Sequence, residues 1–411
     1  MMMLVFDQNL GGRLMEFQVR NVAQIAQADM RFGDLTVLVG PQGAGKSVLL
    51  QLFKLAIDRA YVEDTMASFG QDWQRGNPRA LLDAYLGLGM GRSWNESSQM
   101  LLQGEPVDLA SEPKGHPTQE ALFYIPAQRA ISMPAGWPQP YRAYRSTDPF
   151  VLKNFSEALR THMDNISPRE NVFPANRKLK DPMRELIDLG VFHGAKVSMG
   201  DLSMERQVVL KVGGGRDNYG VSYTAWSTGQ REFFPFLMSY YRLLSSSKKT
   251  KDDNIQWVVI EEPEMGLHPR AIFSSVLPLV FDMLHRGYRV VISTHSSSVL
   301  EALWAIREIN ARTLSKDNAR DRRNKVKLIS EMMGLKTRGD VKDMVGSLLD
   351  KEIRVYGFQL GQGKDHLVHV KDISTLDPSS DDPDISGWGG IVSYSCGISE
   401  TVAKAERRAI R

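Results

Sequence analysis

Gly40-Pro41-Gln42-Gly43-Ala44-Gly45-Lys46-Ser47 is the stretch that decides how this chain is read. It fits the pattern G-x-x-x-x-G-K-[ST], a phosphate-binding loop. Its flanks fit as well. Leu35-Thr36-Val37-Leu38-Val39 is a short apolar run with β-branched residues, which reads as a buried strand. Behind the motif, Leu49, Leu50, Phe53, Ala56 and Ile57 recur at helical spacing. Strand, glycine loop and helix together let backbone N–H groups and a helix N-terminus hold nucleotide phosphates. Gly40, Gly43 and Gly45 let the loop curl, and Pro41, Gln42, Ala44 and Val48 complete the cradle. Lys46 is expected to reach the β- and γ-phosphates of a nucleotide, and the Ser47 hydroxyl to ligate Mg²⁺. The bland alternative is a glycine turn that matches by chance; the rest of the chain weighs against it.

The 411 residues fit two or three units of ordinary domain size, or one large α/β domain with insertions. A net charge of +3 does not argue for a protein that coats nucleic acid, although it leaves room for a local basic patch. The single cysteine, Cys396, excludes an intrachain disulfide and a Cys-rich zinc site, and suits a reducing cytoplasm. The apolar start, Met1 to Phe6, is too short for a signal peptide. No apolar run approaches the roughly 18 residues of a membrane-spanning helix.

Strands alternating with helices after an early phosphate loop predict a mostly parallel sheet covered by helices, an α/β fold. Residues 1–130 read as the first part of a nucleotide-binding head that begins with a small N-terminal antiparallel sheet. Within it, residues 62–120 read as a surface excursion. Residues 131–222 read as a helical insertion closed by a hairpin, in which 208–212 and 219–223 flank Gly213-Gly214-Gly215. Residues 223–312 return to the head, and 313–411 read as a linker and a small C-terminal accessory unit. The basic run Lys316 to Lys327 is foremost a solvated linker, with nucleic-acid or partner contact as the sharper alternative.

The second pillar is the apolar run Ile255 to Ile260, which ends in Glu261-Glu262. Ligands of such sheets bind at strand C-terminal ends. Two adjacent acids there suit Mg-nucleotide chemistry, with Glu261 toward the metal and Glu262 toward the attacking water. Gln128 follows a third apolar strand, and His295 a fourth. Either alone would be weak; a lone histidine at a strand end is more often structural.

Taken together, these motifs resemble the ATP-binding-cassette class of P-loop ATPases, in the SMC/RecF/OLD-like branch that is often labelled AAA. The resemblance covers roughly residues 14–309. It implies that Gln128 is a Q-loop glutamine touching Mg²⁺ and that His295 is a switch histidine for the γ-phosphate. It implies that Ser227-Thr228-Gly229-Gln230 is a signature motif, contacting the nucleotide of another subunit. Glu261-Glu262 then resembles Walker B, and Pro263 to Pro269 the D-loop. The chain departs from the pattern in Glu261, where Asp is usual, and in Thr228, where Gly is common. Fewer than 100 residues separate Gln128 from Ser227, without sustained heptads, which excludes a long coiled-coil arm. The phosphate loop, the short insertion and the closing segment Asp372-Ile373-Ser374 to Trp388-Gly389-Gly390 further resemble ATPases of PARIS-type anti-phage systems. That resemblance implies a homo-oligomeric scaffold, a phage-encoded trigger protein and a separate TOPRIM-type nuclease. A Septu-like ATPase paired with an HNH nuclease is the nearest relative reading. The competing class is a RecF-like repair ATPase that contacts duplex DNA through residues 316–327 and Lys248-Lys249-Thr250-Lys251. The tail's Asp381-Asp382-Pro383-Asp384 sits in an acidic loop, not at the end of a strong strand, so no nuclease centre is read there.

Overall fold

The computed structural model describes residues 14–113, 118–167, 171–175, 178–201, 206–213, 219–244, 254–361, 367–392, 397–399, 401–403 and 405. Residues 214–215 of the glycine turn, the lysines at 248–251 and Cys396 lie outside them.

Ten strands among these residues form one sheet. They are β1 (Met15–Val22), β2 (Ile25–Phe32), β3 (Leu35–Val39), β4 (Gln99–Leu102), β5 (Glu105–Pro106), β6 (Leu122–Ile125), β11 (Trp257–Glu261), β12 (Arg289–Thr294), β13 (Ile353–Leu360) and β14 (Val368–Asp372). Their order is β5-β4-β1-β2-β14-β13-β3-β12-β11-β6. The strands β13, β3, β12, β11 and β6 run parallel. The strand β3 is buried along its whole length, as are β6 and β11. Strands covered on both faces need continuous apolar sequence, which is what these runs supply. By contrast β1 alternates buried and partly exposed residues in its antiparallel pairing with β2.

The sheet separates two cores. Val258 and Ile260 face one; Trp257 and Val259 face the other. Helix α1 (Lys46–Ser68) covers the second face, where Phe53 stacks on Phe32 at 4.2 Å between ring centroids. Helices α2 (Pro78–Leu86), α3 (Phe150–Asp164), α4 (Asp181–Ile187) and α5 (Thr228–Leu243) follow. Beyond them come α6 (Pro269–Ala271), α7 (Leu277–His285), α8 (Ser297–Ala311), α9 (Asn318–Met332) and α10 (Asp340–Leu348). A buried ionic knot fixes α1 to the strand that leads to Gln128. Lys54 Nζ donates to Asp58 Oδ2 at 2.7 Å, Glu120 Oε1 at 2.9 Å and Leu122 O at 2.6 Å.

The structure corrects three expectations. The stretch 62–120 is not only a surface excursion, because β4 pairs with β1 and extends the sheet edge. The insertion is not mainly helical. It holds a four-stranded antiparallel sheet of β7 (Asn171–Phe173), β8 (Lys196–Asp201), β9 (Arg206–Val212) and β10 (Tyr219–Ser222). The expected hairpin is the β9–β10 pair. The described residues of 313–411 form neither a bare linker nor a unit standing apart. The charged run forms α9, capped by Asp317 and burying Val326 and Ile329. The strand β13 lies beside β3 at the sheet's centre, parallel to it, and β14 joins it to β2. Dense charge hid the few apolar positions that dock α9, and sequence distance hid the pairing of β13 with β3.

Removing β13 and β14 would expose one edge of β3 and the face of two cores. A chain ending at residue 351 is therefore expected to lose its cooperative thermal transition. A truncated chain that melts cooperatively near the full-length temperature would restore the accessory-unit reading.

Candidate nucleotide-binding site

The phosphate loop begins where β3 ends and closes into α1. Gly40 sits at φ 146°, and a Cβ there would lie 2.6 Å from Phe358 O of β13. Glycine is thus required by the close approach of the neighbouring strand as well as by the backbone angle. Gln24, in the β1–β2 turn, supports the loop from the other side by donating to Gly43 O at 2.7 Å. Pro41, Gln42, Gly43 and Ser47 are exposed, Val48 is half-buried, and Ala44, Gly45 and Lys46 are buried.

Lys46 Nζ donates to Gly40 O and Pro41 O, each at 2.9 Å, and lies 3.1 Å from His295 Nε2. The same imidazole nitrogen is 3.0 Å from Glu262 Oε1. Three side chains from three segments of the chain, at the ends of β3, β11 and β12, therefore meet at one strand edge. Burial lowers the Lys46 pKa to about 8, against the pull of Glu262, Glu261 and Glu264. The hydrogen bond from His295 holds the Glu262 carboxyl below its ordinary range. Glu262 adopts φ 42°, a left-handed conformation uncommon for a residue with a side chain, as non-glycine strain at functional sites often is.

Glu261 ends β11 and is buried. Its Oε2 accepts from Ala127 N–H at 3.1 Å, while Oε1 is buried without a hydrogen-bond partner of standard geometry. Burial raises the Glu261 pKa; the Ser47 hydroxyl and Ala127 N–H oppose the rise. A buried carboxylate oxygen short of a partner, facing a serine hydroxyl, fits a Mg²⁺ that also binds phosphate oxygens. Among the described residues no group of three or more His, Cys, Asp or Glu forms a cage of its own. A magnesium ion here would rely on Ser47, Glu261 and the phosphates. Gln128 is exposed at the head of the turn Arg129–Ser132, on the loop that delivers Ala127 to Glu261.

Ser227 and Thr228 are exposed at the N-terminus of α5. The hydrogen bonds of Ser227 and Gln230 form a capping box: Gln230 N–H donates to Ser227 Oγ at 3.3 Å, and Ser227 N–H to Gln230 Oε1 at 3.2 Å. Gln230 Nε2 also donates to Val191 O at 3.1 Å. Gly229 abuts the loop Pro263 to Pro269 so closely that a Cβ would lie 2.7 Å from Gly266 O. The segment is thus packed on the loop after β11 of its own chain rather than bonded to its own phosphate loop.

Sequence reasoning gave no role to Arg129, which the structure puts among these motifs. Its side chain is fully buried. It donates to Glu261 O at 2.6 Å, Glu262 O at 2.9 Å and Glu232 O at 3.2 Å. Burial lowers the guanidinium pKa, and Glu232, Glu264, Glu261 and Glu262 support its charge. The one sequence signal was its position directly after Gln128.

A phosphate loop, an acid-tipped strand and a histidine at one sheet edge define a P-loop ATPase of the AAA class. The chain belongs to the family described as "AAA domain, putative AbiEii toxin, Type IV TA system", whose model matches residues 35–301. One stretch of 80 residues, 20% of this chain, is 35% identical to the Old nuclease of Escherichia phage P2. The match spans only 14% of that protein's length. Among solved structures, the chain is similar to the SMC head domain from Thermotoga maritima at 12% identity and a TM-score of 0.32, covering 70% of this chain and 91% of that one. It is also similar to an SMC head bound to the C-terminal winged-helix domain of ScpA, at 9% identity and a TM-score of 0.37, covering 88% and 97%. At such scores neither likeness carries an argument about this chain.

The Lys46 pKa sets a pH signature. Phosphate would favour the charged amine, so binding takes up a proton wherever free Lys46 is neutral. Affinity for an ATP analogue is expected to be flat below about pH 7.5 and to fall above about pH 8, approaching tenfold per pH unit. Equilibrium titrations across that range check this, and an affinity unchanged through about pH 9.5 contradicts it.

Proposed function

We propose that this chain binds ATP with Mg²⁺ and hydrolyses it at the cluster of Lys46, Ser47, Glu261, Glu262 and His295. One observation carries the reading: a lysine, a carboxylate and an imidazole meet within 3.1 Å beside a phosphate loop. Lys46 exchanges its carbonyl acceptors for the β- and γ-phosphates. Ser47 and Glu261, with Gln128 on the neighbouring loop, would hold Mg²⁺, which would supply Lewis acidity toward the phosphates. Glu262, kept ionised by its hydrogen bond, orients and deprotonates the attacking water. His295 turns Nε2 from Lys46 to a γ-phosphate oxygen. Ser227 and Thr228 are exposed at the N-terminus of α5, where with Gly229 and Gln230 they would present backbone N–H groups suited to the γ-phosphate held by a second copy. The working unit is then at least two copies, within a larger homo-oligomer.

Its biological task, in this reading, is anti-phage defence. The chain acts as a scaffold like the PARIS ATPase AriA, which senses a phage-encoded trigger and controls a separate TOPRIM-type nuclease. The family description, with its toxin and toxin–antitoxin terms, and the match to a phage nuclease support this reading. So does the use made of the acidic tail: Lys371 Nζ pairs with Asp382 at 2.5 Å and Asp384 at 2.9 Å, so two of its acids serve structure. A RecF-like DNA-repair ATPase is the second reading. Arg320 and Arg323, exposed on α9, favour it, whereas Arg322 and Lys325 are engaged by Asp350 and Asp321.

Two substitutions test the site. Lys46→Ala is expected to weaken ATP binding by roughly 10- to 100-fold, the scale of a charge-assisted hydrogen bond. Glu262→Gln is expected to retain binding and slow turnover by roughly 10²- to 10⁴-fold. Hydrolysis by Glu262→Gln at the normal rate would show that Glu262 is not the base.

A further inference from the structure

Glu264 lies between the Walker B acids and the D-loop tip, and the reaction above assigns it nothing. Its Oε1 accepts from Thr294 Oγ1 at 2.5 Å and from His295 N–H at 2.8 Å. Thr294 Oγ1 in turn accepts from Ser296 N–H at 3.0 Å. One carboxylate oxygen therefore fixes the backbone on which His295 is mounted. The loop that carries Glu264 is itself braced. Met265 N–H donates to Glu262 O at 3.1 Å, Leu267 N–H donates to Glu264 O at 2.9 Å, and Gly266 packs against Thr228 and Gly229. The His295 side chain, by contrast, is about one-third exposed in the open cleft. Its ring has to exchange Lys46 and Glu262 for a phosphate oxygen without its Cα wandering.

We infer that Glu264 is a positioning residue for ATP hydrolysis, holding the His295 backbone through Thr294 Oγ1 and the His295 N–H so that the imidazole reaches the γ-phosphate. The inference rests on the reading that His295 acts on that phosphate. Holding the His295 backbone requires an acceptor at this position; the charge of the carboxylate serves Arg129. Both bonds use Oε1, while Oε2 is buried without a hydrogen-bond partner. A glutamine can put its carbonyl oxygen in the place of Oε1 and lose neither bond.

The test is single-turnover hydrolysis, with nucleotide affinity measured in parallel, on Glu264→Ala, Glu264→Gln, His295→Ala and the double variant Glu264→Ala/His295→Ala. Glu264→Ala is expected to slow hydrolysis roughly 10- to 100-fold, the cost of misplacing a group by about an ångström, with affinity unchanged. Glu264→Gln is expected within about twofold of the native rate, and the double variant no slower than His295→Ala alone. Three outcomes overturn the inference: a native rate for Glu264→Ala, a glutamine variant as slow as the alanine one, or losses that multiply in the double variant. If Glu264→Ala does not fold, Thr294→Val replaces it, removing one of the two bonds; a slower rate at unchanged affinity supports the inference and a native rate overturns it. A native rate for His295→Ala would sink the reading of His295 and this inference together, whereas a slow His295→Ala beside a native Glu264→Ala sinks this inference alone.

Discussion

The geometry of this site depends on a guanidinium with no access to water. Arg129 is fully buried, and a buried cation persists only where its donors and its charge are both met. The main chain meets the donors, through Glu261 O, Glu262 O and Glu232 O. Surrounding carboxylates meet the charge. The carbonyls belong to the end of β11 and the first turns of α5, and Arg129 itself sits in the loop after β6. One side chain thus ties the loop after β6, the end of β11 and the start of α5 at fixed spacing. It also accounts for the unusual backbone of Glu262. With its N–H donating to Ser293 O at 2.9 Å and its C=O taken by Arg129, the residue is held at positive φ with its carboxylate toward His295.

In the cluster at the phosphate loop one ring nitrogen has two partners. A single imidazole nitrogen faces both an amine and a carboxylate, and it cannot donate to Glu262 while accepting from Lys46. Lys46, meanwhile, spends two donors on loop carbonyls. Phosphate oxygens are better acceptors than either arrangement offers, because they bring charge to a desolvated amine. Binding would therefore free Glu262 for water and His295 for the γ-phosphate in one rearrangement, without a large movement of the strands that carry them.

How far the sequence could be read follows from how local each constraint is. The strand, loop and helix around Lys46 were legible because their signals lie within about one strand and two helical turns of one another. So were β11 and its acid pair, and β12 before His295. What was lost depends on contacts between distant segments. The pairing of β13 with β3 joins residues more than three hundred apart, and nothing in the β13 sequence distinguishes a central strand from a peripheral one. The strand β8 was missed within an insertion read mainly as helical. Arg129, next to Gln128, and Glu264, within Pro263 to Pro269, were left idle, since their importance lies in which carbonyl, hydroxyl or amide they meet across the fold. Ser227-Thr228-Gly229-Gln230 is a third case: its first and last residues form a helix cap, which the structure shows, and the four together are a candidate signature.

The central claim is that the ATP site is completed by a second copy through Ser227-Thr228-Gly229-Gln230. Mixing two inactive chains tests it most directly, one with Lys46→Ala and one with Ser227→Arg. A shared site predicts that neither hydrolyses ATP alone and that the mixture recovers activity, because each mixed pair assembles one site from an intact phosphate loop and an intact signature. Ser227→Arg chains that hydrolyse at the native rate, or a mixture that stays as inactive as its parts, would contradict it.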